Sequence, residues 1–364
     1  MVRVNILSQG RFHMLDLARE LAANGFDVKF YSFVPTKRAV SFGLPRECCV
    51  SMVVPLAPFL LIERLCKKLY WWRIKAQDLM MGLFMRKCDV CISLTGFLFA
   101  PRRAKHRGAL VIFERGSKHI LEQKRVLESI PGAKVPAVPA RNVCWNLSGY
   151  ALADYIAIAT QHVRESFLKH DYPDEKLFVN PYGVDLSMFK PLEGAVKEYD
   201  VLMVGGWSYR KGCDLIVEAV RRMGCSFLHV GGLVDVPFPD EPNFTHVDPV
   251  DQHQLLAYYN KARVFVLPSR EEGLAMVQAQ AIACNLPLVG SPDSGAVDLK
   301  GMVAQGEYVT IIQSYTVDAV VEALGVALRQ AEHLTEPYAG EAIEQLTWAA
   351  YGRRYAAFLR RVLG

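Results

Sequence analysis

The sequence predicts an α/β protein made of two doubly wound parallel-sheet domains, and three observations predict it. Short β-rich apolar runs alternate with helix-period segments from the N-terminus to about residue 159. The same alternation restarts after Pro191. At 364 residues the chain also exceeds the size at which one core keeps growing, so two domains are expected.

The elements follow in order. VRVNILS (2–8) reads as the first strand, and a helix over about 12–24 carries Leu15, Leu17, Ala18, Leu21 and Ala22 on its apolar side. Asn24-Gly25 stops it, and DVKFYSF (27–33) is the next strand. CVSMVV, CDVCISL, ALVIFE and DYIAIA continue the series. The second series runs DVLMVGG (200–206), helix 211–223, SFLHVGG, helix 251–261, RVFVLPS, a helix over about 273–284, LPLVGS and a strand near YVTII. KPLEGAVKE (190–198) reads as the linker. Ligands of such sheets bind at the carboxyl ends of the strands, and two open sheets facing each other leave a cleft.

Composition narrows the class. Half of the residues are hydrophobic (51%), ample for burial. No run of about 20 apolar residues suggests a membrane span, and MVRVNILSQGRF is a poor signal peptide, so a cytoplasmic protein is expected. Nine scattered cysteines fit reduced thiols, and Cys88 and Cys91 read as two small apolar residues entering a strand. Up to residue 195 there are 28 Lys and Arg against 17 Asp and Glu, and beyond it 14 against 20. The halves thus carry +11 and −6, which gives the net +5 and suggests that they face different partners. No nucleic-acid-reading motif is present, and none is expected as a partner.

Residues 59–87 break the rhythm with a long, basic, amphipathic stretch containing Trp71-Trp72 and the cations Arg64, Lys67, Lys68, Arg73 and Lys75. It reads either as a helix packed on the sheet with a solvated basic side, or as an interfacial helix that docks on an anionic membrane. The basic RRAKHR (102–107) leans toward the second.

Two glycine turns at strand ends could carry chemistry. After RVFVLPS, ending at Ser269, come Glu271, Glu272 and Gly273 at a helix start. Glycine permits close approach of a ligand, and free first-turn N–H groups suit anionic or hydroxyl-bearing groups. The two acids could equally just complement a positive helix end. After DVLMV, the turn Gly205-Gly206 leads to Arg210, Lys211 and Gly212, which can be read as a diphosphate cradle or as exposed loop charges.

Taken together, VGGWSYRKGCDLIVEA, HVGG and FVLPSREEGLAMVQAQAIACNLPLVGSPDSGAVDL resemble the C-terminal domain of retaining GT-B glycosyltransferases of the family 4 type (glycosyl transferases group 1). NPYGVDLSMFKP resembles the family's linker, TWAAYGRRYAAFLRRVL its closing helix, and QGRFHMLDLARELAANGFDV its first strand–helix unit. FERGSKHILEQKRVL resembles an acceptor-side segment. The resemblance implies a GT-B fold: an acceptor-binding domain over 1–190, with the 346–364 helix crossing back onto it, and a nucleotide-sugar domain over 198–345.

It also implies roles. Lys211 matches the lysine on the donor diphosphate, and Glu272 the first Glu of E-x7-E, on donor sugar hydroxyls. Gly273, Leu274, Ala275 and Met276 match the turn whose amides meet sugar and phosphate. Gln280 matches the second Glu, which holds the ribose, and Gly10 the small residue of the first loop. Two positions depart from the pattern. Gln280 replaces a carboxylate, and Gly206 stands where a diphosphate arginine is usual, leaving Arg210 as the nearest substitute. On the acceptor side Glu114, Arg115, Ser117 and His119 follow a strand end, with His119 the preferred contact to the transferred sugar or acceptor and Glu114 the second. Glu271 is expected to be an ordinary helix-start acid, and Gln280, two turns on from Glu272, to face the same side of one helix.

The expected activity is transfer of a sugar from a nucleotide-diphosphate sugar, UDP- or GDP-linked, to a glycan or lipid-linked acceptor in surface polysaccharide or glycolipid synthesis. Retention, no metal, no cofactor and a peripheral place on the inner membrane face are expected with it. A sugar-nucleotide epimerase of the same shape and a silent binding module are the alternatives.

Overall fold

The computed structural model describes residues 1–57, 70–133 and 138–364. The first sheet holds β1 (Arg3–Ser8), β2 (Asp27–Ser32), β3 (Cys49–Ser51), β4 (Val90–Leu94), β5 (Leu110–Arg115), β6 (Tyr155–Ile158) and β7 (Leu177–Val179). All are parallel, in the order β3-β2-β1-β4-β5-β6-β7. Around it lie α1 (Phe12–Ala23), α2 (Thr36–Ser41), α3 (Tyr70–Phe84), α4 (Phe99–His106), α5 (Ile120–Ser129), α6 (Ala140–Leu152) and α7 (Gln161–Leu168).

The second sheet holds β8 (Tyr199–Val204), β9 (Phe227–Val230), β10 (Phe244–Val247), β11 (Ala262–Leu267), β12 (Leu288–Gly290) and β13 (Val309–Ile311). It too is parallel, in the order β10-β9-β8-β11-β12-β13. Its helices are α8 (Cys213–Met223), α9 (Gln252–Asn260), α10 (Met276–Ala283), α11 (Ala296–Met302) and α12 (Val317–His333), and α13 (Trp348–Leu363) follows. The order reverses beside β1 in one sheet and beside β8 in the other, which is where crevices form.

Strand alternation sorts the core. Val4 and Ile6 of β1 pack on the side of α1, while Leu7 joins the other face with Cys91, Val111 and Phe113. Cys88 and Cys91 are buried free thiols with raised pKa values, Cys88 to about 11, because burial disfavours the thiolate. α13 packs against the first domain: Phe358 stacks on Phe178 at 4.0 Å, and Arg360 donates to the Asn24 carbonyl at 2.8 Å. Gly183 of the linker lies so close to the start of α13 that a Cβ there would strike the Trp348 backbone.

Several readings change. β7 and β10 lie in segments whose four or fewer β residues gave no clear run. The third strand shrinks to Cys49–Ser51, and the helix expected from residue 273 starts only at Met276. Of the 59–87 stretch, Arg64, Lys67 and Lys68 fall outside the described residues. Arg73 turns inward over the Phe33 ring at 4.7 Å, so its charge is not on a solvated face. Asp78 is buried in the same helix, accepting from the Leu98, Phe99 and Ala100 amides at 2.8–2.9 Å and so capping α4.

Candidate active site at the facing strand ends

The loop after β11, Pro268 to Ala275, stays non-helical and carries the two glutamates toward the loop after β8. Lys211 Nζ donates to Glu272 Oε2, and Arg210 Nη1 lies 3.3 Å from the same oxygen. Burial alone would raise the Glu272 carboxyl, but Lys211 and Arg210 outweigh it and hold it below its ordinary value. Arg210 also donates to the Glu271 carbonyl at 2.7 Å. Leu274 and Ala275 are buried, Ala275 offers no side-chain cap, and the first turn of α10 opens at Met276.

Glu271 is not a helix-start acid. It precedes Met276 by five residues, is 1% exposed, and accepts from Ser117 Oγ of the other domain. The cause is Gly273, which packs directly on the Gly116 carbonyl and holds the turn across the cleft. Further bonds cross beside it. Lys118 Nζ pairs with Asp293, which also accepts from Tyr315 at 2.6 Å, and His162 Nε2 donates to the Glu272 carbonyl at 2.8 Å. Burial would raise the Asp293 carboxyl, but Lys118 and Tyr315 keep it low. Burial lowers the His162 pKa, consistent with a neutral ring donating through Nε2.

The acceptor-side residues are placed differently from expectation. His119 caps α5 and is enclosed by Tyr150, Phe167 and His170, whose rings lie 5.0, 5.0 and 4.4 Å away. Burial lowers its pKa to about 4, so it is a neutral core histidine and not a cleft contact. Glu114 is 2% exposed beneath α1, 3.2 Å from His13 Nε2, so it is enclosed under that helix start and not on the open cleft wall. Arg115 is spent on the Lys118 carbonyl at 2.8 Å and Gln123 at 2.7 Å, fixing the 115–118 turn. Ser117 alone of this group faces the loop over 268–275, through Glu271.

The glycine turn after β8 is split. Gly205 accepts from His229 Nε2 at 2.8 Å and Gly206 rests against Val234, so both brace the turn after β9 while Arg210 and Lys211 face the glutamates. Ser269 is buried behind this loop, its carbonyl accepting from Ser291 at 2.6 Å.

Gln280 and Glu272 do not share one helical face, because Glu272 lies ahead of α10. Gln280 lines a separate cavity of about 240 Å³ with Arg11, Phe12, Gln252, Met276 and Trp348. Its Oε1 is 2.9 Å from the buried Tyr259 hydroxyl, so the oxygen expected to serve a ribose is already engaged. Gln278 points the other way, to Ser294 at 3.3 Å. Gly10 sits in the first loop, its carbonyl accepting from Ser8 at 2.7 Å, and Arg11 follows it into the cavity. Arg11, Lys118, His162 and Asp293 went unnoticed in the sequence. Lys118 stood one residue before the favoured histidine, which is the signal that could have found it.

Residues 198–330 match the family model described as glycosyl transferases group 1. The GDP-mannose-dependent alpha-(1-6)-phosphatidylinositol monomannoside mannosyltransferase of Mycolicibacterium smegmatis is 26% identical over 242 residues, 57% of this chain and 62% of that protein. The MMP alpha-(1->4)-mannosyltransferase of Mycolicibacterium hassiacum is 24% identical over 204 residues, 52% of this chain and 49% of that protein. The alignment thus spans less than two thirds of either relative. Among solved structures, Anabaena HepE in complex with UDP and glucose superposes with a TM-score of 0.69 at 11% identity, covering 99% of this chain and 100% of the other. That likeness is one of fold, and the fold is GT-B.

Proposed function

We propose that this chain, a GT-B protein carrying a glycosyl transferases group 1 domain at residues 198–330, transfers a sugar from a nucleoside-diphosphate sugar to a glycan or lipid-linked acceptor. The observation that carries the reading is the Lys211–Glu272 pair at the facing strand ends, beside the uncapped start of α10. A bound diphosphate would draw Lys211 and Arg210 away from Glu272, and the freed carboxylate would accept from donor sugar hydroxyls. As the bond from the anomeric carbon to the diphosphate oxygen breaks, that oxygen keeps the electron pair. The cations and helix-end amides stabilise the charge, so the reading needs no divalent metal. The acceptor hydroxyl bonds to the anomeric carbon from the leaving-group face and its proton passes to the departing phosphate, which gives retention.

The test is calorimetric titration with UDP, GDP and their sugars. Micromolar to millimolar binding of one nucleotide, and release of diphosphate only with an acceptor present, are the expected results. No binding of any nucleoside diphosphate sinks the reading, and turnover without an acceptor points to an epimerase.

The surface of the first domain supports a reading of the acceptor and of the place in the cell. Trp72 and Phe84 of α3 are 62% and 74% exposed, with Leu79, Leu83 and Phe99 beside them. Lys75, Lys87, Arg102 and Arg107 are exposed nearby, and Asp78, the acid of α3, is buried. This apolar, cationic face fits an anionic membrane and so a lipid-linked acceptor on the inner face. No described helix is long and apolar enough to cross a membrane. Sedimentation with phosphatidylglycerol vesicles, weakened by salt and by Phe84→Ser, is expected, and equal sedimentation with phosphatidylcholine vesicles overturns it.

A further inference from the structure

The turn after β8 contains a peptide whose direction is set from outside the turn. Gly205 and Gly206 both lack a Cβ, so the plane between them can rotate at little steric cost and present either its carbonyl or its N–H to a ligand. His229 of β9 removes that freedom. Fully buried, it donates from Nε2 to the Gly205 carbonyl at 2.8 Å. Its Nδ1 lies 2.9 Å from Nδ1 of His246 on β10, and the two rings stack at 5.0 Å. A carbonyl only accepts, so His229 Nε2 carries the hydrogen. Burial lowers the His229 pKa to about 4, so the ring is neutral and its Nδ1 accepts from His246. His246 Nε2 in turn faces Asp248 at 3.5 Å, and the Trp207 and Phe238 rings pack against His229 at 4.9 and 5.9 Å. The Gly205–Gly206 peptide is trans, so the Gly206 N–H points opposite to the Gly205 carbonyl and away from His229. Among the described residues that N–H meets no acceptor. The same loop runs on to Arg210 and Lys211.

We propose that His229 is a positioning residue for the diphosphate of the nucleotide sugar: it pins the Gly205 carbonyl inward and so presents the Gly206 N–H as a donor to phosphate. His246 fixes the tautomer that makes the pin possible. The proposal rests on the glycosyltransferase reading above. The position where the resemblance implies a diphosphate arginine then contributes a backbone donor instead. Without the pin the peptide could turn over, and the Gly205 carbonyl, the negative end of its dipole, would face the phosphates and repel them. His229 acts entirely through Gly205 and touches no ligand itself.

The experiment follows the Gly206 amide by NMR in full-length protein carrying isotopically labelled glycine, its resonance identified by its loss in Gly206→Ala. UDP and GDP are titrated in, calorimetry gives the affinities, and melting temperatures report folding. In wild type the preferred diphosphate is expected to move the Gly206 amide proton downfield, as a new hydrogen bond does. His229→Phe keeps a ring in the core but removes the donor. It is expected to weaken the diphosphate about tenfold, the scale of a lost hydrogen bond to a charged group, and to abolish the Gly206 shift. His229→Gln, which offers an amide N–H, is expected to recover part of the affinity. Nitrogen spectra of the imidazoles near neutral pH are expected to place hydrogen on Nε2 of His229 and on Nδ1 of His246. The wild-type shift and the tautomers require no variant to fold. A Gly206 resonance unmoved at saturation with a bound diphosphate overturns the proposal alone. So does folded His229→Phe binding within twofold of wild type, or hydrogen found on Nδ1 of His229. Wild type that binds neither UDP nor GDP overturns the glycosyltransferase reading, and the proposal falls with it.

Discussion

Gly273 of the loop after β11 packs on Gly116 of the opposite domain so tightly that any side chain at 273 would collide with the Gly116 carbonyl oxygen. Backbone meets backbone there, so neither partner can swing aside. Gly273→Ala is therefore expected to hold the domains apart. Overpacking of this kind costs about 1–3 kcal/mol, so turnover should fall roughly tenfold or more. Nucleotide affinity should fall less, since Arg210 and Lys211, the proposed diphosphate ligands, both lie on the second domain. Small-angle scattering should report a larger radius of gyration. Wild-type turnover in Gly273→Ala would mean that the closed contact is not part of the working cycle.

Glu272 and Lys211 make a second prediction, because each is the other's resting partner. In Glu272→Gln the ammonium loses its carboxylate competitor and is freer to meet phosphate. UDP or GDP affinity should hold or improve, while transfer from the full donor should fall about ten- to hundredfold for want of a charged acceptor to the sugar hydroxyls. Lys211→Ala should show the reverse emphasis, with diphosphate affinity lost first. Parallel losses of affinity in both variants would argue that the pair is structural.

The contrast between legible and hidden residues has a physical basis. The crevice positions of Lys211 and Glu272 could be read because each lies in a glycine-containing turn after a buried strand, and strand ends line the crevice in this architecture, whereas their donor roles rest on the resemblance. Gln280 was legible in neither position nor state: Glu272 lies ahead of α10 and shares no helical face with it, and the engaged amide oxygen depends on Tyr259 on another helix. Arg11–Gln252 and Lys118–Asp293 join residues 241 and 175 positions apart, and no local pattern encodes a contact made only when two domains meet. His119 was misread because its enclosure comes from distant parts of its own domain. Its strand-end position suggests a cleft residue, but Phe167 of α7, two helices further on, and His170 just beyond that helix close around it.

Gln280→Glu tests the departure from a carboxylate. The Tyr259 hydroxyl can donate to either side chain, so the local packing survives. The second carboxylate oxygen would accept from a ribose hydroxyl where the amide now presents N–H groups. Diphosphate binding should tighten about fivefold, as a charge-assisted bond replaces a neutral one, and 2′-deoxy-UDP or 2′-deoxy-GDP should lose more affinity than it does in wild type. Weaker binding would show the new carboxylate repelling the ligand in a cavity that Asp16 and Asp185 already line.

His119 ties stability to pH. Burial first, then His170 and Arg115, lower its pKa to about 4, against roughly 6.5 in an unfolded chain. Between these values the unfolded state binds the proton and the folded state does not, so stability rises with pH across that window. The contribution is fully present above about pH 6.5 and is lost progressively as the pH falls toward 4. His229, also near 4 through burial, acts in the same sense. His119→Asn keeps a side chain able to cap α5 but removes the titration. Its melting temperature should therefore decline less steeply than wild type between pH 6.5 and 4.5, whatever the offset at pH 7 from lost ring packing. Equal slopes in the two proteins would mean that His119 titrates normally in the folded state and is not enclosed by Tyr150, Phe167 and His170 in solution.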